Sequence, residues 1–361
     1  MEKSRAAVLE GVEQMSLRSL EVPDIGEDDA LLRVEMVGVC GTDYKFYHGK
    51  LEAPLPMILG HEILGHIAAI GDRATARYGV RVGDRVTLEG AVPCWACNYC
   101  LSGQYRFCTS ARGYGTRMPL SVPPGLWGAM AEYMYLLPGS VMHRVPDDIP
   151  AGAAVVTGMV ANGIQWLRRH GGASVGDTIL IQGVGPQGLA ATIIARESGA
   201  STVIVTGLAR DAGRLALARE FGADYTIVAD QEDVKARVRE ITNGRLADVV
   251  LEVTGSPSAV QASIDLVRRQ GTLVLAGLTG SHTVTPLELD RLVWNEIRVQ
   301  GVFTKGADAI TAALHFLKTR GARYALERVV SHVYPLDEAE RAIRAAGGEA
   351  GEDFIKAAIQ P

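Results

Sequence analysis

Four cysteines lie close together in one short segment of the chain, with the spacing of metal ligands. Cys94, Cys97, Cys100 and Cys108 form the pattern Cys-x2-Cys-x2-Cys-x7-Cys. Four thiolates at such spacing can close a tetrahedron around Zn²⁺ with no vacant position, which is typical of a structural site. An iron–sulfur cluster, whose ligands also include Cys-x2-Cys-x2-Cys runs, and four free thiols are the alternatives. Because the fourth cysteine comes eight positions after the third and no proline follows it, the pattern favours structural zinc.

A second candidate metal site combines one cysteine and one histidine from two separate glycine-rich segments. Cys40 lies in the segment GVCGTD and His61 in the segment GHEILG. A thiolate and an imidazole can hold a zinc ion that keeps an open position, as catalytic zinc sites do. Spacing alone leaves another interpretation open, because a lone cysteine is usually a small buried apolar residue.

A glycine-rich turn follows the apolar segment TILIQ and precedes an apolar helical pattern. In this strand–turn–helix setting, Gly-x-Gly-x-x-Gly predicts a dinucleotide-binding turn. The first glycine permits the tight turn, the second lets the backbone approach the pyrophosphate, and the third allows close packing of helix on strand. The helix N-terminus then offers amide donors to the phosphates. The residues of the turn are Gly183, Val184, Gly185, Pro186, Gln187 and Gly188.

The residues after the next strand bear on which dinucleotide is bound. NAD-binding sequences usually carry an acidic residue there, about 20 residues after the glycines, to bind the ribose 2′-hydroxyl. Here the strand STVIVT is followed by Gly207, so the expected carboxylate is absent. Arg210 can accept the 2′-phosphate of NADP, whereas the adjacent Asp211 can fold back towards the ribose. The sequence favours NADP slightly and leaves NAD open.

The elements around these motifs predict an α/β chain with two kinds of sheet. Residues 1–148 consist of short strand patterns such as LLRVEMVGV and HEILGHIAAIG, broken by Gly, Pro and Asp, which indicate a β-rich, barrel-like domain. Residues 149–288 alternate apolar strands with helices, which indicates a parallel sheet buried on both faces. Residues 289–361 show no core of their own, and we expect them to pack back on the first domain.

Composition and charge exclude several classes of protein. Of the 361 residues, 47% are hydrophobic and 21% are charged, which argues against a disordered chain or a coiled coil. A net charge of −5 argues against nucleic-acid binding, which needs a basic face. No apolar run reaches the length of a membrane span, and the start of the chain lacks the apolar core of a secretory signal. Five cysteines, four of them clustered, are more typical of metal ligands in a reducing compartment than of disulfides, so we expect a cytoplasmic protein.

Taken together, the motifs identify a family. GVCGTD, then GHEILG twenty residues on, then the four-cysteine segment and the glycine-rich turn resemble the zinc-dependent medium-chain alcohol dehydrogenases, in the family's order and over essentially the whole chain. The resemblance implies a GroES-like β domain and a Rossmann domain, two zinc ions and NAD or NADP. It also implies reversible hydride transfer between an alcohol and the dinucleotide, which gives an aldehyde or ketone. Family members are seldom monomers, so a homodimer or homotetramer is expected.

The resemblance also assigns roles to side chains near the catalytic zinc. Cys40 and His61 would bind the ion, and Thr42 would accept the proton of the alcohol through its hydroxyl. His48 stands where some relatives place a histidine that passes this proton to solvent. Further expectations concern four more residues: Asp43 orients the ring of His61, Glu62 acts near the metal or on it, His66 is structural, and Lys356 reaches the cofactor pyrophosphate.

One departure from the family concerns the third protein ligand of the catalytic zinc. Relatives supply Cys, Asp or Glu near the start of the nucleotide domain, whereas the matching positions here are Val156 and Thr157. There are three alternatives: Glu62 completes the ligand set, a water molecule completes it, or the metal site is only weakly occupied. We favour Glu62 together with water. This departure also leaves two alternatives: a zinc-free reductase of the same superfamily that acts on activated double bonds, and a dinucleotide sensor without catalysis.

The resemblance gives less information about the substrate. It places Tyr44, Trp127 and Met159 around the pocket, and these side chains would make the cavity mostly apolar. We therefore expect a medium-sized or bulky primary or secondary alcohol rather than a polyol.

Overall fold

Two sheet systems organise the chain, one mainly antiparallel and one parallel. The computed structural model describes residues 3–280, 283–351 and 354–361. The first unit comprises Met1–Thr157 and Gly306–Pro361, and the second comprises Gly158–Lys305. Within the described ranges, no helix combines the length and apolarity that a membrane crossing requires.

The strands and helices follow in chain order. The strands are β1 (Lys3–Gly11), β2 (Gln14–Glu21), β3 (Ala30–Gly38), β4 (Met57–Ile58), β5 (Glu62–Ile70), β6 (Arg85–Leu88), β7 (Ala91–Val92), β8 (Arg112–Gly113), β9 (Tyr133–Leu136), β10 (Met142–Arg144), β11 (Thr178–Gln182), β12 (Thr202–Gly207), β13 (Tyr225–Val228), β14 (Ala247–Glu252), β15 (Val267–Leu275), β16 (Arg298–Gly301), β17 (His332–Pro335) and β18 (Ala357–Gln360). The α-helices are α1 (Gly41–Tyr47), α2 (Asp72–Tyr78), α3 (Asn98–Leu101), α4 (Ala151–Val155), α5 (Thr157–Gly163), α6 (Pro186–Glu197), α7 (Ala212–Glu220), α8 (Val234–Ile241), α9 (Pro257–Ser263), α10 (Leu289–Trp294), α11 (Ala307–Arg320) and α12 (Ala339–Arg344). Shorter helical turns of 3-10 type include Tyr105–Phe107, Ala209–Asp211 and Leu326–Val329, and the segments Ile164–His170 and Ala345–Glu349 are π-helical.

The first unit is built on a sheet with the strand order β10-β6-β5-β3-β18-β17, to which β9 adds by pairing with β3. Strand β3 is central, and seven of the nine residues of its sequence ALLRVEMVG are buried under neighbouring strands and packed side chains, whereas Arg33 is exposed. A smaller sheet, β2-β1-β4, packs its buried β1 side chains into the same hydrophobic core. The GroES-like β domain predicted for this part of the chain is confirmed.

The second unit is a parallel sheet with the order β13-β12-β11-β14-β15-β16. Strands β11 and β14 lie side by side at its centre, and all six residues of β14 are buried. Because the chain runs outwards from β11 in one direction and from β14 in the other, the two carboxyl ends flank the point where the strand order reverses. The predicted Rossmann fold is confirmed.

The boundaries of the two units differ from those expected from the sequence. The second unit extends to Lys305 rather than ending near residue 288, because β16 adds to the parallel sheet beside β15. Its start lies at Gly158 rather than near residue 149, since α4 packs on β3, β5 and the turn Leu326–Val329 of the first unit. The chain after this point returns to the first unit, where β18 pairs with β3.

A buried ion pair joins two strands of the first unit. The guanidinium of Arg85 on β6 donates to both carboxylate oxygens of Glu35 on β3, at 2.7 and 2.8 Å. It also donates to the carbonyl oxygen of Ile149 at 2.6 Å, so the buried charge is satisfied on several sides. His66 lies beside this pair, with its Nδ1 3.7 Å from a Glu35 oxygen, as expected of a structural histidine.

Candidate metal and nucleotide sites

The first candidate site forms where β3 ends and β5 begins. Cys40 follows β3 and caps the N-terminus of α1, while Glu62 is the first residue of β5 and follows His61. The two strands pair antiparallel with Gly38 opposite Glu62, which brings both ends together. The ligand atoms of Cys40, His61 and Glu62 all lie within 4.8 Å of one another. A side chain at position 38 would displace the Glu62 carboxylate, since a Cβ there would lie 2.2 Å from one of its oxygens.

Asp43 contacts both Cys40 and His61. One of its oxygens accepts a hydrogen bond of 2.8 Å from the Cys40 backbone N–H, and the other lies 3.4 Å from His61 Nδ1. Asp43 is fully buried, so its charge acts in a poorly solvated place. With Nδ1 turned towards the carboxylate, the other ring nitrogen of His61 is left for a metal, which is the usual arrangement of a zinc-binding histidine. The orienting role predicted for Asp43 thus has the required geometry.

The electrostatics of this cluster suit a divalent cation. Burial disfavours the imidazolium of His61, yet Asp43 and Cys40 together outweigh burial and hold the pKa of His61 well above its ordinary value. Burial also opposes ionisation of Cys40, but the hydrogen bond with His61 lowers the pKa of the thiol below its ordinary value. His61 Nδ1 and Asp43 Oδ1 are buried, and neither makes a hydrogen bond within the described part of the chain. A thiolate, an imidazole and a carboxylate that converge in this way fit zinc, which takes S, N and O ligands in tetrahedral sites.

The two residues of the predicted reaction path lie at opposite ends of α1, with Thr42 beside the cluster and His48 after the last residue of the helix. The hydroxyl oxygen of Thr42 is 3.7 Å from Cys40 Sγ. His48, the residue after α1, contacts Glu13 through Nδ1 at 2.5 Å and lies against the rings of Tyr44 and Tyr47. Its Nε2 is buried and has no hydrogen-bond partner among the described residues.

Lys356 occupies a different place from the one predicted. Its ammonium lies 2.6 Å from a Glu62 oxygen and donates to the Val39 carbonyl oxygen at 2.9 Å. The residue is only 3% exposed. The sequence predicts this lysine at the cofactor pyrophosphate, whereas in the structure it pairs with Glu62 of the metal cluster. The reason is that β18 pairs with β3 in the register Ala358 to Gly38, which carries Lys356 to Glu62.

Val156 and Thr157 contribute no further ligand to the cluster. Both are almost fully buried, and the Thr157 hydroxyl donates to the Ala154 carbonyl oxygen at 2.6 Å. Within the described ranges, the side chains that could hold a metal ion here are those of Cys40, His61 and Glu62.

The four clustered cysteines form a second site in the first unit. The sulfur atoms of Cys94, Cys97, Cys100 and Cys108 all lie within 4.8 Å of one another, and all four residues are free thiols rather than disulfides. The Cys97 and Cys100 sulfurs are 3.6 Å apart. The Cys100 backbone N–H lowers the pKa of Cys97 to about 6, whereas burial raises that of Cys100 to about 12. A closed set of four thiol ligands in a loop with few apolar contacts fits structural zinc.

The glycine-rich turn lines a cavity of about 790 Å³ in the second unit. Pro186 begins α6, whose N-terminus faces the turn. Gly188 cannot carry a side chain, because a Cβ there would lie 1.9 Å from the Gly183 carbonyl oxygen. The predicted residues that line the cavity are Gly183, Val184, Gly185, Pro186, Gln187, Gly188, Gly207 and Arg210.

The far end of this cavity carries two arginines and no free carboxylate. Arg210 and Arg214 both line it, together with Asp211. One oxygen of Asp211 accepts from the Leu208 backbone N–H at 3.0 Å, and the other pairs with Arg214 at 3.0 Å. Gly207 leaves no room for an acidic side chain, since a Cβ there would lie 2.7 Å from Val184. Asp211 is thus held within its own helical turn.

The predicted apolar pocket residues are distributed differently. Trp127 is 2% exposed, belongs to the core of the first unit and donates its indole N–H to the Val122 carbonyl oxygen at 2.7 Å. It therefore belongs to the core and does not line a pocket, because the indole finds its polar partner in the preceding loop. Tyr44 is half-buried beside His48, and Met159 on α5 is buried.

Sequence reasoning missed two features. The Glu62–Lys356 pair had no local signal, because the partners are far apart in the chain. Val253, Thr254 and Ser256 also line the nucleotide cavity. Their signal was available, since they follow a parallel strand next to the one that bears the glycine-rich turn.

Comparison with known proteins identifies the class. Residues 26–147 match the family described as alcohol dehydrogenase GroES-like domain, and residues 186–319 match zinc-binding dehydrogenase. A probable alcohol dehydrogenase of Mycobacterium tuberculosis is 41% identical over 96% of this chain and 95% of its own length. D-arabitol-phosphate dehydrogenase of Enterococcus avium is 34% identical over 91% of this chain and 89% of its own. Sorbitol dehydrogenase of Bacillus subtilis is 32% identical, over 95% and 93%.

Solved structures agree over the entire chain. An alcohol dehydrogenase from Thermotoga maritima matches with a TM-score of 0.91 and 26% identity over 100% of both chains. A zinc-binding dehydrogenase from Sinorhizobium meliloti, bound to NADP, matches with a TM-score of 0.88 and 27% identity, again over 100% of both chains.

A β domain with two clusters of metal-ligating side chains and a Rossmann domain with a glycine-rich turn define a dinucleotide-dependent oxidoreductase. The chain belongs to the zinc-dependent medium-chain dehydrogenase/reductase family. It is an oxidoreductase that acts on CH–OH donors.

The two clusters predict separable metal sites. We expect two zinc ions per chain in the wild type and one in Cys40→Ala, because Cys40 belongs only to the first cluster. Cys97→Ala should lose the other ion and also unfold at a lower temperature, since a structural zinc contributes folding energy. Elemental analysis and thermal unfolding of the three proteins check this. One ion in both the wild type and Cys40→Ala would show that the first cluster does not hold zinc.

Proposed function

We propose that this protein catalyses reversible oxidation of an alcohol to an aldehyde or ketone with NADP, at a zinc ion held by Cys40, His61 and Glu62. The observation that carries the proposal is the convergence of these three side chains, oriented by Asp43. The nucleotide cavity lined by the glycine-rich turn supports it. In alcohol oxidation, the two groups that these residues would hold supply a Lewis acid and a hydride acceptor.

In this proposal, the chain's own residues handle the proton. The Thr42 hydroxyl, next to Cys40 Sγ, accepts the proton of the substrate hydroxyl. His48 then carries a proton towards the surface, since its Nδ1 pairs with the exposed Glu13 and its Nε2 is free to accept one. General acid–base steps of this kind contribute about 10²–10⁴-fold to rates.

Glu62 replaces the ligand that Val156 and Thr157 do not provide. Its carboxylate lies between the cluster and the Lys356 ammonium, which neutralises part of its charge. A carboxylate that is paired with a lysine would bind a metal ion less tightly than a free one. Cys40, His61 and Glu62 would hold the ion, and a water molecule would complete the set.

NADP is favoured over NAD by the far end of the nucleotide cavity. Arg210 and Arg214 line it, and Asp211 is already engaged with Arg214 and the Leu208 N–H. Arginine is suited to phosphate because its guanidinium presents paired donors. The NADP-bound relative from Sinorhizobium meliloti has the same fold over its full length.

The substrate proposal includes a second candidate. An apolar alcohol was inferred from Tyr44, Trp127 and Met159, but Trp127 belongs to the core. Two relatives that are more than 30% identical carry the names of a sorbitol and an arabitol-phosphate dehydrogenase. These names favour a polyol as the alternative substrate class. The zinc-free reductase and the sensor have less support, because Cys40, His61 and Glu62 converge.

A substrate panel tests the proposed reaction. Purified protein should reduce NADP in the presence of cyclohexanol, benzyl alcohol or sorbitol, followed at the absorbance of the reduced nicotinamide. Cys40→Ala should lose at least about 10³-fold in kcat/KM, equivalent to about 4 kcal/mol of transition-state stabilisation. The variant should keep its fold and its affinity for the dinucleotide, because Cys40 lies in the first unit and the glycine-rich turn in the second. Faster turnover of sorbitol than of both cyclic alcohols would select the polyol, and no turnover of any alcohol by zinc-loaded protein would refute the proposal.

The choice of dinucleotide has its own test. Arg210→Ala should weaken NADP binding by about tenfold or more and leave NAD binding nearly unchanged, since only NADP carries the 2′-phosphate. Arg219, exposed on the same unit, offers a matched control: Arg219→Ala should change neither affinity. Calorimetric titration with both dinucleotides measures the four constants. Equal loss of NAD and NADP affinity in Arg210→Ala would contradict the assigned role.

We further propose that the protein is a homo-oligomer assembled through the second unit. Strand β16 is the edge of the parallel sheet, and no described strand covers its outer side. Large apolar side chains are exposed on and beside this edge: Leu289, Val293, Trp294, Val299 and Phe303. An open edge with an apolar surround favours pairing with a second copy around a twofold axis.

Val299→Lys should convert this oligomer to a monomer, because a charge on the outer edge opposes strand pairing. Val175→Lys is the control, since Val175 is 82% exposed and lies away from β16. Light scattering after gel filtration gives the mass of each protein. A wild type that already elutes as a monomer, or a Val299→Lys variant with unchanged mass, would rule out this interface.

A further inference from the structure

Glu252 is a fully buried carboxylate at the end of a central strand, and the reaction described above does not use it. It is the last residue of β14 and has no exposed surface. One carboxylate oxygen accepts from the backbone N–H of Thr254 at 2.7 Å and of Gly255 at 3.1 Å, and also from the Thr254 hydroxyl. Glu252 therefore ties down the loop that follows its own strand.

The charge of Glu252 is balanced by neutral donors alone. No lysine, arginine or histidine pairs with it within the described ranges, and burial raises the pKa of its carboxyl. Asp248, near the other end of the same strand, is paired with Arg245 and Arg268 at 2.9 and 2.5 Å. An unpaired buried carboxylate is expensive to desolvate. Its presence here calls for a role beyond stabilising the sheet.

A second loop lies against the same residue. The backbone N–H groups of Ala276 and Gly277, which follow β15, donate to the backbone carbonyl oxygen of Glu252 at 2.9 and 3.0 Å. A Cβ at Gly277 would lie 2.6 Å from the Glu252 carboxylate and 2.2 Å from the Gly255 backbone nitrogen. The loops 253–256 and 276–278 are thus packed against each other, so the loop that the carboxylate holds also supports the second loop.

These loops lie where the second half of a dinucleotide is expected. Glu252 is in register with Gln182, the last residue before the glycine-rich turn, so the two loops and the turn lie at the same edge of the sheet. In sheets of this order the dinucleotide crosses the switch point, with one nucleotide on each side. The adenosine half belongs to the β11–β12 side, where Arg210 lies. The nicotinamide half then belongs to the β14–β15 side.

We propose that Glu252 is a positioning residue: it fixes the loops after β14 and β15, and through them the nicotinamide end of the bound dinucleotide. This inference rests on the proposed function. Val253, Thr254 and Ser256 reach the nucleotide cavity, while Glu252 itself acts only through them. Displacement of a reacting group by about 1 Å can cost on the order of 10²-fold in rate, so a small shift of these loops matters.

Glu252→Gln tests the role with little change in shape. The amide replaces one acceptor oxygen by a donor that faces the Gly255 N–H, so the loop has to move. We expect NADP to bind about tenfold more weakly and kcat to fall by roughly 10- to 100-fold. Adenosine 2′,5′-bisphosphate, which lacks the nicotinamide half, should bind within about twofold of wild type. Calorimetric titration gives both affinities without turnover.

Asp248→Asn is the matched control, because it also neutralises a buried acid of β14 but at the other end of the strand. It should lower the unfolding temperature and leave both affinities unchanged. If Glu252→Gln does not fold, Glu252→Asp provides the second variant, since it keeps the charge but withdraws the carboxylate from the N–H groups of Thr254 and Gly255. The same pattern of affinities is expected for it.

Equal weakening of NADP and of the bisphosphate would overturn the inference, because a general disturbance of the unit would then explain the effect. Unchanged NADP affinity and kcat would overturn it as well. A wild type that binds neither NAD nor NADP would refute the proposed function itself, and this distinguishes the two failures.

Discussion

The antiparallel register of β3 and β5 is the constraint on which the metal cluster depends. Because Gly38 pairs with Glu62, Cys40 after β3 and His61 before β5 lie at the same end of the paired strands. A slip of one residue would turn every side chain of the strand to the opposite face. Strand β3 does not tolerate such a slip, because it would turn the exposed Arg33 towards the face that now buries Val34. The pairing of β3 with β5 therefore determines which side chains meet at the metal cluster.

Buried charges in this protein are satisfied in two ways. Some meet an opposite charge: Arg85 meets Glu35 and Lys356 meets Glu62 in the first unit, and Asp248 meets two arginines in the second. Asp43 is neutralised only when His61 is protonated or when a metal ion draws the imidazole into place. In the second unit, Glu252 relies on N–H and O–H dipoles alone. The ion pairs join strands to each other. The carboxylate of Glu252 instead holds the loop after β14, because several donors of that loop converge on it.

The features that sequence reasoning found are those that depend on neighbours in the chain. The four cysteines lie within one loop and the glycine-rich turn within six residues, so spacing alone predicted both. Cys40 and His61 were found through the family's pattern, since nothing local links them. Lys356 was placed at the wrong partner because its position depends on the pairing of β18 with β3, which no local signal reveals. Trp127 was misplaced for a related reason: an aromatic residue in a glycine-rich stretch suits both a pocket and a core, and only packing decides.

The pairing of β18 with β3 has a consequence for the order in which the protein is made. The contact between Lys356 and Val39 spans 317 positions, so the cysteine that follows Val39 emerges from the ribosome long before the lysine. Throughout synthesis of the whole nucleotide-binding unit, β3 lacks its last neighbour and Glu62 lacks its cation. Native pairings between the two ends of a chain form late and slowly. The cluster of Cys40, His61 and Glu62 therefore gains its full set of neighbours only after β18 and Lys356 have been made.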